Sequence, residues 1–187
     1  MKIFFLVIQF LISPVSSWEK IKKKGLTAHQ HEKFWFYPLL SIVAASAFAQ
    51  MFYGESLSAS LIQAVVFFTT FFLSNMLCPV LLSFLLPLLQ EERKKVFDTD
   101  LKIFTMLHLS VLATVTIIQN FLPTQLPPLY IFPIYLLYTI SKCAECLGVT
   151  SEDKKLTYVI CLFLVLIVVP FALLALLWQF IPVENNL

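Results

Sequence analysis

The residues whose types and spacing could support chemistry are few, and the pair Cys143-Ala-Glu-Cys146 is the first of them. Two cysteines at positions i and i+3 can form a redox pair or supply half of a metal site. The sequence has no second pair and no histidine nearby, so we interpret both thiols as small apolar groups packed inside the protein. His29 and His31 lie in a charged segment, and we expect both rings to be solvated.

His108 is the candidate intramembrane polar site, because it lies about one and a half turns inside an apolar segment. Ionisable groups within a membrane usually face the interior of the helix bundle and are often functional. A position near the segment's end would also let the ring reach the headgroups, and both interpretations stay open. Phosphate-binding glycine loops, metalloprotease helices and nucleophile elbows are absent from the sequence. The sequence therefore predicts a protein that is not an enzyme and has no metal or cofactor.

The composition indicates which solvent surrounds these residues. Of 187 residues, 59% are apolar, 15% aromatic and 13% charged, and the mean hydropathy is +0.87. Soluble domains are about half apolar and about a quarter charged. We therefore predict an all-α integral membrane protein, and the small net charge of +2 gives no indication of nucleic-acid binding.

The apolar segments predict five transmembrane helices, since one span needs about 20 residues. The run from Leu57 to Leu89 is too long for one straight span, and Pro79 lacks a backbone donor. We expect that span to end near Cys78, with residues 80–89 continuing as a kinked, partly interfacial tail. The predicted spans are residues 34–53, 57–78, 103–122, 129–147 and 157–181, which together form a membrane domain at 34–187.

The basic residues predict the orientation of these spans. All 13 Lys and Arg residues precede the first span, lie between the second and third, or lie around the join between the fourth and fifth. Short loops rich in Lys and Arg stay on the cytoplasmic side. The amino terminus is therefore expected in the cytoplasm and the carboxyl terminus outside.

Residues 1–33 form the amino-terminal segment, whose apolar run Ile3–Ile12 has two interpretations. Followed by small residues, it could be a cleaved signal peptide. Cleavage would place the lysines at 20–24 outside and break the charge segregation. We therefore favour an uncleaved amphipathic helix in the membrane interface, which Trp18 and the lysines anchor on the anionic inner leaflet.

Uncharged polar residues inside the spans are expected to form hydrogen bonds between helices, each contributing about 0.6 kcal/mol. Pro170 is tolerated in the last span because neighbouring groups can satisfy the freed carbonyl. The polar residues in question are Gln50, Gln63, Ser74, Asn75, Gln119 and Asn120.

Several strings of the chain are similar to the Yip family of Ypt/Rab-interacting membrane proteins. They are Ile12-Ser-Pro-Val-Ser-Ser-Trp-Glu-Lys-Ile, Phe36-Tyr-Pro-Leu-Leu, Pro127-Pro-Leu-Tyr and Tyr135-Leu-Leu-Tyr, with Pro170 near the middle of the last span. The resemblance is to the short bacterial members. It implies five spans in the same orientation, a location in the bacterial inner (plasma) membrane and no catalytic residues. The Asp-Leu-Tyr-Gly-Pro motif of the eukaryotic branch is absent, so Rab binding is not carried over.

Three function classes follow. The first is a non-enzymatic scaffold or trafficking protein that uses its basic cytoplasmic face to bind anionic lipids and a membrane or cytoplasmic protein, and it could also form a homo-oligomer. The alternative is a small permease or lipid-moving protein whose pathway uses the kinks at Pro79, Pro133 and Pro170 beside His108. An intramembrane enzyme is third, and the missing motifs oppose it. The candidate lipid or partner contacts are Lys22, Lys23, Lys24, Arg93, Lys94 and Lys95.

Overall fold

The structure, a computed structural model, describes residues 8–23, 25, 27–89, 98–123, 128–144, 147 and 152–180. These residues are helical apart from short turns and contain no strand, so the predicted all-helical fold is confirmed for them. A helical segment at 8–12 comes first. The helices that follow it are α1 Pro14–Lys23, α2 Ala28–Tyr53, α3 Leu57–Leu89, α4 Asp98–Asn120, α5 Pro128–Ala144 and α6 Glu152–Gln179.

Four of the described helices are long and apolar enough to cross a membrane. The segments that meet these criteria of length and composition are Ala28–Tyr53, Leu57–Leu86, Asp100–Asn120 and Lys155–Gln179. The predicted span at 129–147 corresponds to α5, which has 17 residues. The predicted boundary near Cys78 does not coincide with a helix end, because α3 continues through Pro79 to Leu89.

Helix α2 begins earlier than predicted because Thr27 and Gln30 form a capping box. Gln30 N donates to Thr27 Oγ1 at 3.3 Å, and Thr27 N donates to Gln30 Oε1 at 2.9 Å, which satisfies two free donors of the first turn. A π-helical stretch, Glu32–Phe36, follows, in which the amide of Tyr37 donates to the carbonyl of Glu32. The helix tightens into a 3₁₀ stretch at Ala47–Tyr53 and ends at Gly54, whose φ of +98° favours glycine.

Consecutive helices of the bundle run antiparallel, so alternate connections lie at the same end. Because Lys and Arg are confined to one set of connections, the two ends of the bundle differ chemically. Asn120 and Phe121 at the end of α4 contact side chains from the end of α2, whereas Asn75 in the second half of α3 contacts Glu32 near the start of α2. We call the end at which α2, α4 and α6 begin the basic end. The end at which they finish is the lysine-free end, since residues 34–92, 103–141 and 156–187 contain no Lys or Arg.

Helix α4 is the most buried of the four membrane-length helices, and α6 is the least. The described window of α4 is 67% buried, against 28% for α6, and from Leu101 to Val111 only Lys102 is exposed. Hydroxyl side chains fit into α4 because they donate to carbonyls one turn earlier in the same helix. Those hydroxyls belong to Thr105, Ser110, Thr114 and Thr116.

The amino-terminal segment packs on α4 and α5 with its large side chains buried. Phe10 is 0% exposed and meets the His108 ring edge-on at 5.2 Å. Trp18 is 3% exposed and lies against Phe104, and the Tyr135 hydroxyl donates to the carbonyl of Leu11. The expectation that Trp18 anchors this segment in the membrane interface is therefore wrong, because its indole is buried in protein. Residues 3–7 of the predicted interfacial helix lie outside the described residues.

Candidate functional site

A cleft of about 590 Å³ lies in the lysine-free half of the bundle, between the end of α2 and one face each of α3, α4 and α6. The first wall comes from Gln50 and from Glu55, in the turn after α2. The other helices contribute residues at helical spacing, so each presents one face to the cleft. They are Ala59, Gln63, Phe67, Thr70 and Phe71 from α3, Leu112, Val115, Thr116, Gln119 and Asn120 from α4, with Leu122 and Pro123 just beyond it, and Pro170, Phe171, Leu174 and Trp178 from α6.

Polarity changes along the length of the cleft. At the lysine-free end, which we call the mouth, the lining includes the carboxylate of Glu55 and the amides of Gln50 and Gln119. Toward the middle of the bundle, which we call the floor, the lining is mainly aromatic and aliphatic, with Phe71 and Leu112 among it. From Ala59 to Phe71 the wall advances by about 18 Å along α3, at 1.5 Å per residue. The cleft is therefore elongated. Its carboxylate and amide groups lie toward the mouth, and aromatic and aliphatic groups predominate at the floor.

Hydrogen bonds between α2 and α4 fix the mouth. Gln50 Nε2 donates to the main-chain oxygen of Asn120 at 2.8 Å, and Asn120 Nδ2 donates to Ser46 Oγ at 2.9 Å. The Tyr53 hydroxyl donates to the main-chain oxygen of Phe121 at 2.7 Å. These bonds also satisfy carbonyls at the end of α4, which have no partner within the helix.

The uncharged polar side chains of Gln63, Gln119 and Thr70 line the cleft and make no hydrogen bond to the described part of the chain. Gln63 and Gln119 are half-buried amides on facing walls, from α3 and α4. Thr70 is 3% exposed near the floor, and its hydroxyl has no partner among the described residues. Buried polar groups are normally hydrogen-bonded, so these side chains are the ones that a molecule in the cleft could satisfy.

The six polar residues expected to join helices divide into three groups. Gln50, Asn75 and Asn120 do form bonds between helices, as predicted. Ser74 instead donates to the carbonyl of Thr70 in its own helix. Gln63 and Gln119 line the cleft. Neither residue type nor hydropathy distinguishes the three groups. The sequence signal for the cleft-lining group was the helical spacing of Ala59, Gln63, Phe67 and Thr70, which places these four residues on one face of α3.

Of the three kinks proposed for a transport pathway, Pro170 lines the cleft. Its ring prevents a hydrogen bond to the carbonyl of Leu166, and the adjacent carbonyl of Val165 accepts from Cys78 Sγ at 3.8 Å. Pro79 is buried near that contact and does not belong to the lining. For Pro133, the structure describes the helix but not the side chain.

His108 is fully buried and does not line the cleft. It lies on the same face of α4 as Leu112, one turn closer to the basic end. Its Nδ1 lies 2.9 Å from the carbonyl of Phe104, and the rings of Phe10 and Phe104 cover it. Nε2 has no partner among the described residues. The ring therefore does not reach toward headgroups, and the amino-terminal segment shields it.

Of the six candidate lipid or partner contacts, the structure describes Lys22 and Lys23, and both are exposed on α1. Lys22 Nζ lies 2.7 Å from Asp100 Oδ2 and 5.6 Å from the Trp18 ring, which ties α1 to the start of α4. Lys24, Arg93, Lys94 and Lys95 lie outside the described residues.

A second polar cluster surrounds the buried carboxylate of Glu32 at the start of α2. Asn75 Nδ2 donates to Glu32 Oε1 at 3.2 Å, and His29 Nδ1 lies 3.5 Å from Glu32 Oε2. His29 is exposed as expected. His31 is 3% exposed beside Trp35, so the expectation of a solvated ring is wrong there. The cause is the earlier start of α2, which places both histidines on a helix.

The cysteine pair is described only in part. Cys143 is buried near the end of α5, as expected of a packed thiol, and Cys146 lies outside the described residues. Among the residues that the structure describes, no group of three His, Cys, Asp or Glu side chains is placed to hold a metal ion.

No family model, no curated protein and no solved structure matches the chain.

Proposed function

We propose that the protein is a membrane-embedded binding protein for an amphipathic molecule and works as a small permease or lipid-moving protein. The observation that carries this proposal is the elongated cleft among α2, α3, α4 and α6. Its volume of about 590 Å³ lies within the range of about 300–1,000 Å³ that is typical of ligand sites.

The polarity of the lining supports an amphipath over a uniformly polar solute. A head group at the mouth would meet Gln50, Glu55 and Gln119, and a chain extending to the floor would lie against Phe67 and Phe71. The partnerless amides and the hydroxyl of Thr70 can fix the orientation of a bound molecule, as the few polar groups of a ligand pocket usually do.

We place the protein in a bacterial inner membrane with five spans, the amino terminus in the cytoplasm and the carboxyl terminus outside. Support comes from the segregation of Lys and Arg and from α5, whose 17 residues would make the fifth span. In this orientation the mouth of the cleft faces outward. We further propose that the protein has no enzymatic activity, because its sequence carries none of the catalytic motifs considered above.

The test fills the cleft and measures what the protein retains. The full chain is purified from native membranes in a neutral detergent, and native mass spectrometry detects bound small molecules. Ala59→Phe places a ring in the cleft wall, whereas Ala175→Phe makes the same change at an exposed position of α6 outside the lining. We expect Ala59→Phe to lose the bound species and Ala175→Phe to keep it. Equal retention by both variants contradicts the proposal.

The basic end favours a second candidate, the scaffold of the Yip type that the sequence resemblance implies. Lys20, Lys23, Lys33, Lys102 and Lys142 are all exposed, and each basic residue near an anionic leaflet contributes about 1 kcal/mol. Such a surface would hold anionic lipids and offer a docking face to a membrane or cytoplasmic protein.

The scaffold candidate is tested by removing charge and then restoring it. Glutamine at the six candidate positions should reduce the number of anionic lipids retained in native mass spectrometry. A matched variant with the five lysines changed to arginine and Arg93 to lysine keeps the charge and should retain them. Unchanged retention in the glutamine variant contradicts this function.

A further inference from the structure

We infer that the cleft selects an amphipath with a positively charged head group, an organic cation of the quaternary ammonium kind. The inference rests on the proposed function, since it requires that the cleft be a binding site. The following observations on the mouth support it independently of one another.

The first observation is an unbalanced carboxylate. Glu55 is exposed at the mouth, and its carboxylate has no hydrogen bond or ion pair with the described residues. The sequence places every Lys and Arg in 1–33, 93–102 or 142–155, and none in the connections of the lysine-free end. A ligand with an anionic head would meet a carboxylate there and no compensating cation.

The second observation is the direction of the helices around the mouth. Gln50, Asn120 and Trp178 belong to the last turns of α2, α4 and α6, whereas Ala59 belongs to the first turn of α3. A helix carries a partial negative charge at its carboxyl end and a partial positive charge at its amino end. The mouth therefore combines three negative helix ends with one positive end.

Helix ends of both signs are partly satisfied within the protein. Gln50 and Tyr53 donate to main-chain oxygens at the end of α4, and the start of α3 has its own side-chain cap. Ser56 Oγ accepts a hydrogen bond from the amide of Ala59 at 3.1 Å, at the start of α3. An anion approaching the mouth thus finds fewer free amide donors than an uncapped helix end would offer.

The third observation is an aromatic side chain in the lining near the same end. Trp178 lines the cleft in the last turn of α6, and Phe171 follows two turns deeper on the same face. Cations, and quaternary ammonium groups in particular, are attracted to the faces of such rings, with Trp the strongest. The lining near the lysine-free end therefore includes a carboxylate, three helix carboxyl ends and an indole, and each of these attracts a cation.

The experiment compares three probes that share one alkyl chain and differ only in the head. They are a decyl trimethylammonium salt, its uncharged tert-butyl isostere and decyl sulfate, each radiolabelled, with the two ionic probes used below their micelle concentrations and binding to empty nanodiscs subtracted for all three. Equilibrium binding is measured on the full chain in nanodiscs of zwitterionic lipid, so that the bilayer carries no net charge. We expect the cation to bind most tightly and the sulfate most weakly, with the difference shrinking as salt increases.

The variants identify the groups that cause the preference. Removing an exposed charge partner lowers binding affinity about two- to fivefold. Glu55→Gln should therefore lower the affinity for the cation by that factor and leave the affinity for the uncharged isostere unchanged. Trp178→Leu should weaken the cation by a similar factor. Glu19→Gln removes the same charge from exposed α1 at the basic end and should change nothing.

Each outcome has a separate meaning. Equal binding of the cation and the isostere, or a preference for the sulfate, overturns this inference and leaves the binding function in place. Binding of none of the three probes, with Ala59→Phe indistinguishable from wild type, overturns the proposed function itself. An equal effect of Glu19→Gln and Glu55→Gln also overturns the inference, because the charge would then act from anywhere on the protein.

Discussion

The hydrogen bond between Asn120 and Ser46 holds two walls of the mouth together, and its contribution can be measured by a double-mutant cycle. The variants are Asn120→Ala, Ser46→Ala and the double change. Both side chains are buried, at 3% and 4% exposure, and the bond is 2.9 Å long. Ser46 Oγ also donates to the carbonyl of Val43 at 2.7 Å, so it is oriented to accept from Asn120.

The expected coupling follows from known interhelical bonds in membranes, which average about 0.6 kcal/mol and reach about 1.7 kcal/mol. Because this bond is short, buried and continued by a second bond, we expect about 1 kcal/mol. Asn120→Ala alone should cost more than the coupling, since it also leaves a small cavity. The bond from Gln50 ends on the main chain of Asn120, so it survives the substitution and does not enter the cycle.

The assay is reversible unfolding of the purified chain in mixed micelles, with increasing sodium dodecyl sulfate and helicity followed by circular dichroism. Gln119→Ala is the matched control, because it removes an amide next to Asn120 that makes no hydrogen bond to the described residues. It should cost less than Asn120→Ala. A coupling energy below about 0.3 kcal/mol would mean that the two substitutions are additive within the usual error. That result would refute the claim that this hydrogen bond stabilises the contact between α2 and α4 at the mouth.

Other predictions concern the amino-terminal segment, the buried carboxylate and the topology. Phe10→Ala should lower the free energy of unfolding by about 3 kcal/mol because it empties a buried site, whereas Ile12→Ala, at a 79% exposed position, should change it by less than about 0.5 kcal/mol. In the same assay, Asn75→Leu should cost about 2 kcal/mol by removing a hydrogen bond from a buried carboxylate, and adding Glu32→Gln should recover part of this loss. A phosphatase fused to the carboxyl terminus should be active outside the cytoplasm if α5 spans, since five spans place the termini on opposite sides. An inactive phosphatase together with a fluorescent cytoplasmic fusion indicates an even number of spans.

The helical class was predictable because the apolar runs are long and the solvent that they require is a bilayer. Residues 103–122 illustrate this, since the predicted segment agrees to within a few residues at each end with Asp100–Asn120, the part of α4 that is long and apolar enough to cross a membrane. In lipid every backbone polar group must be satisfied within the segment, so a long apolar run has few alternatives to a helix.

The start of α2 was missed because hydropathy does not register a cap. The string Thr27-Ala-His-Gln30 is a capping box, and this signal was present in the sequence. Its omission placed His29 and His31 in a loop. The π-helical stretch at Glu32–Phe36 is harder to anticipate, because no local residue pattern specifies it, and its first residue, Glu32, is held by Asn75 from another helix.

The position of Trp18 shows where composition stops being informative. An indole followed by lysines is compatible with two positions. It can anchor a segment at the membrane interface, or it can pack on a neighbouring helix. The choice depends on Phe104 of α4, which is far away in sequence and receives the indole edge-on. No local pattern contains that contact.

The same reasoning explains why the cleft was not predicted although four amide residues of its lining, Gln50, Gln63, Gln119 and Asn120, were noticed. Gln63 and Asn75 are amides on one helix, twelve residues apart, and hydropathy treats them alike. Asn75 faces Glu32 across a packed contact, whereas Gln63 faces the space beside Gln119 and Trp178. Because the walls are separated there, the half-buried amides of Gln63 and Gln119 have no protein partner among the described residues, so water or another molecule in the cleft can supply their hydrogen bonds. A polar side chain on an apolar helix is therefore available to another molecule when its face opens on a cavity, and it joins helices when that face is filled.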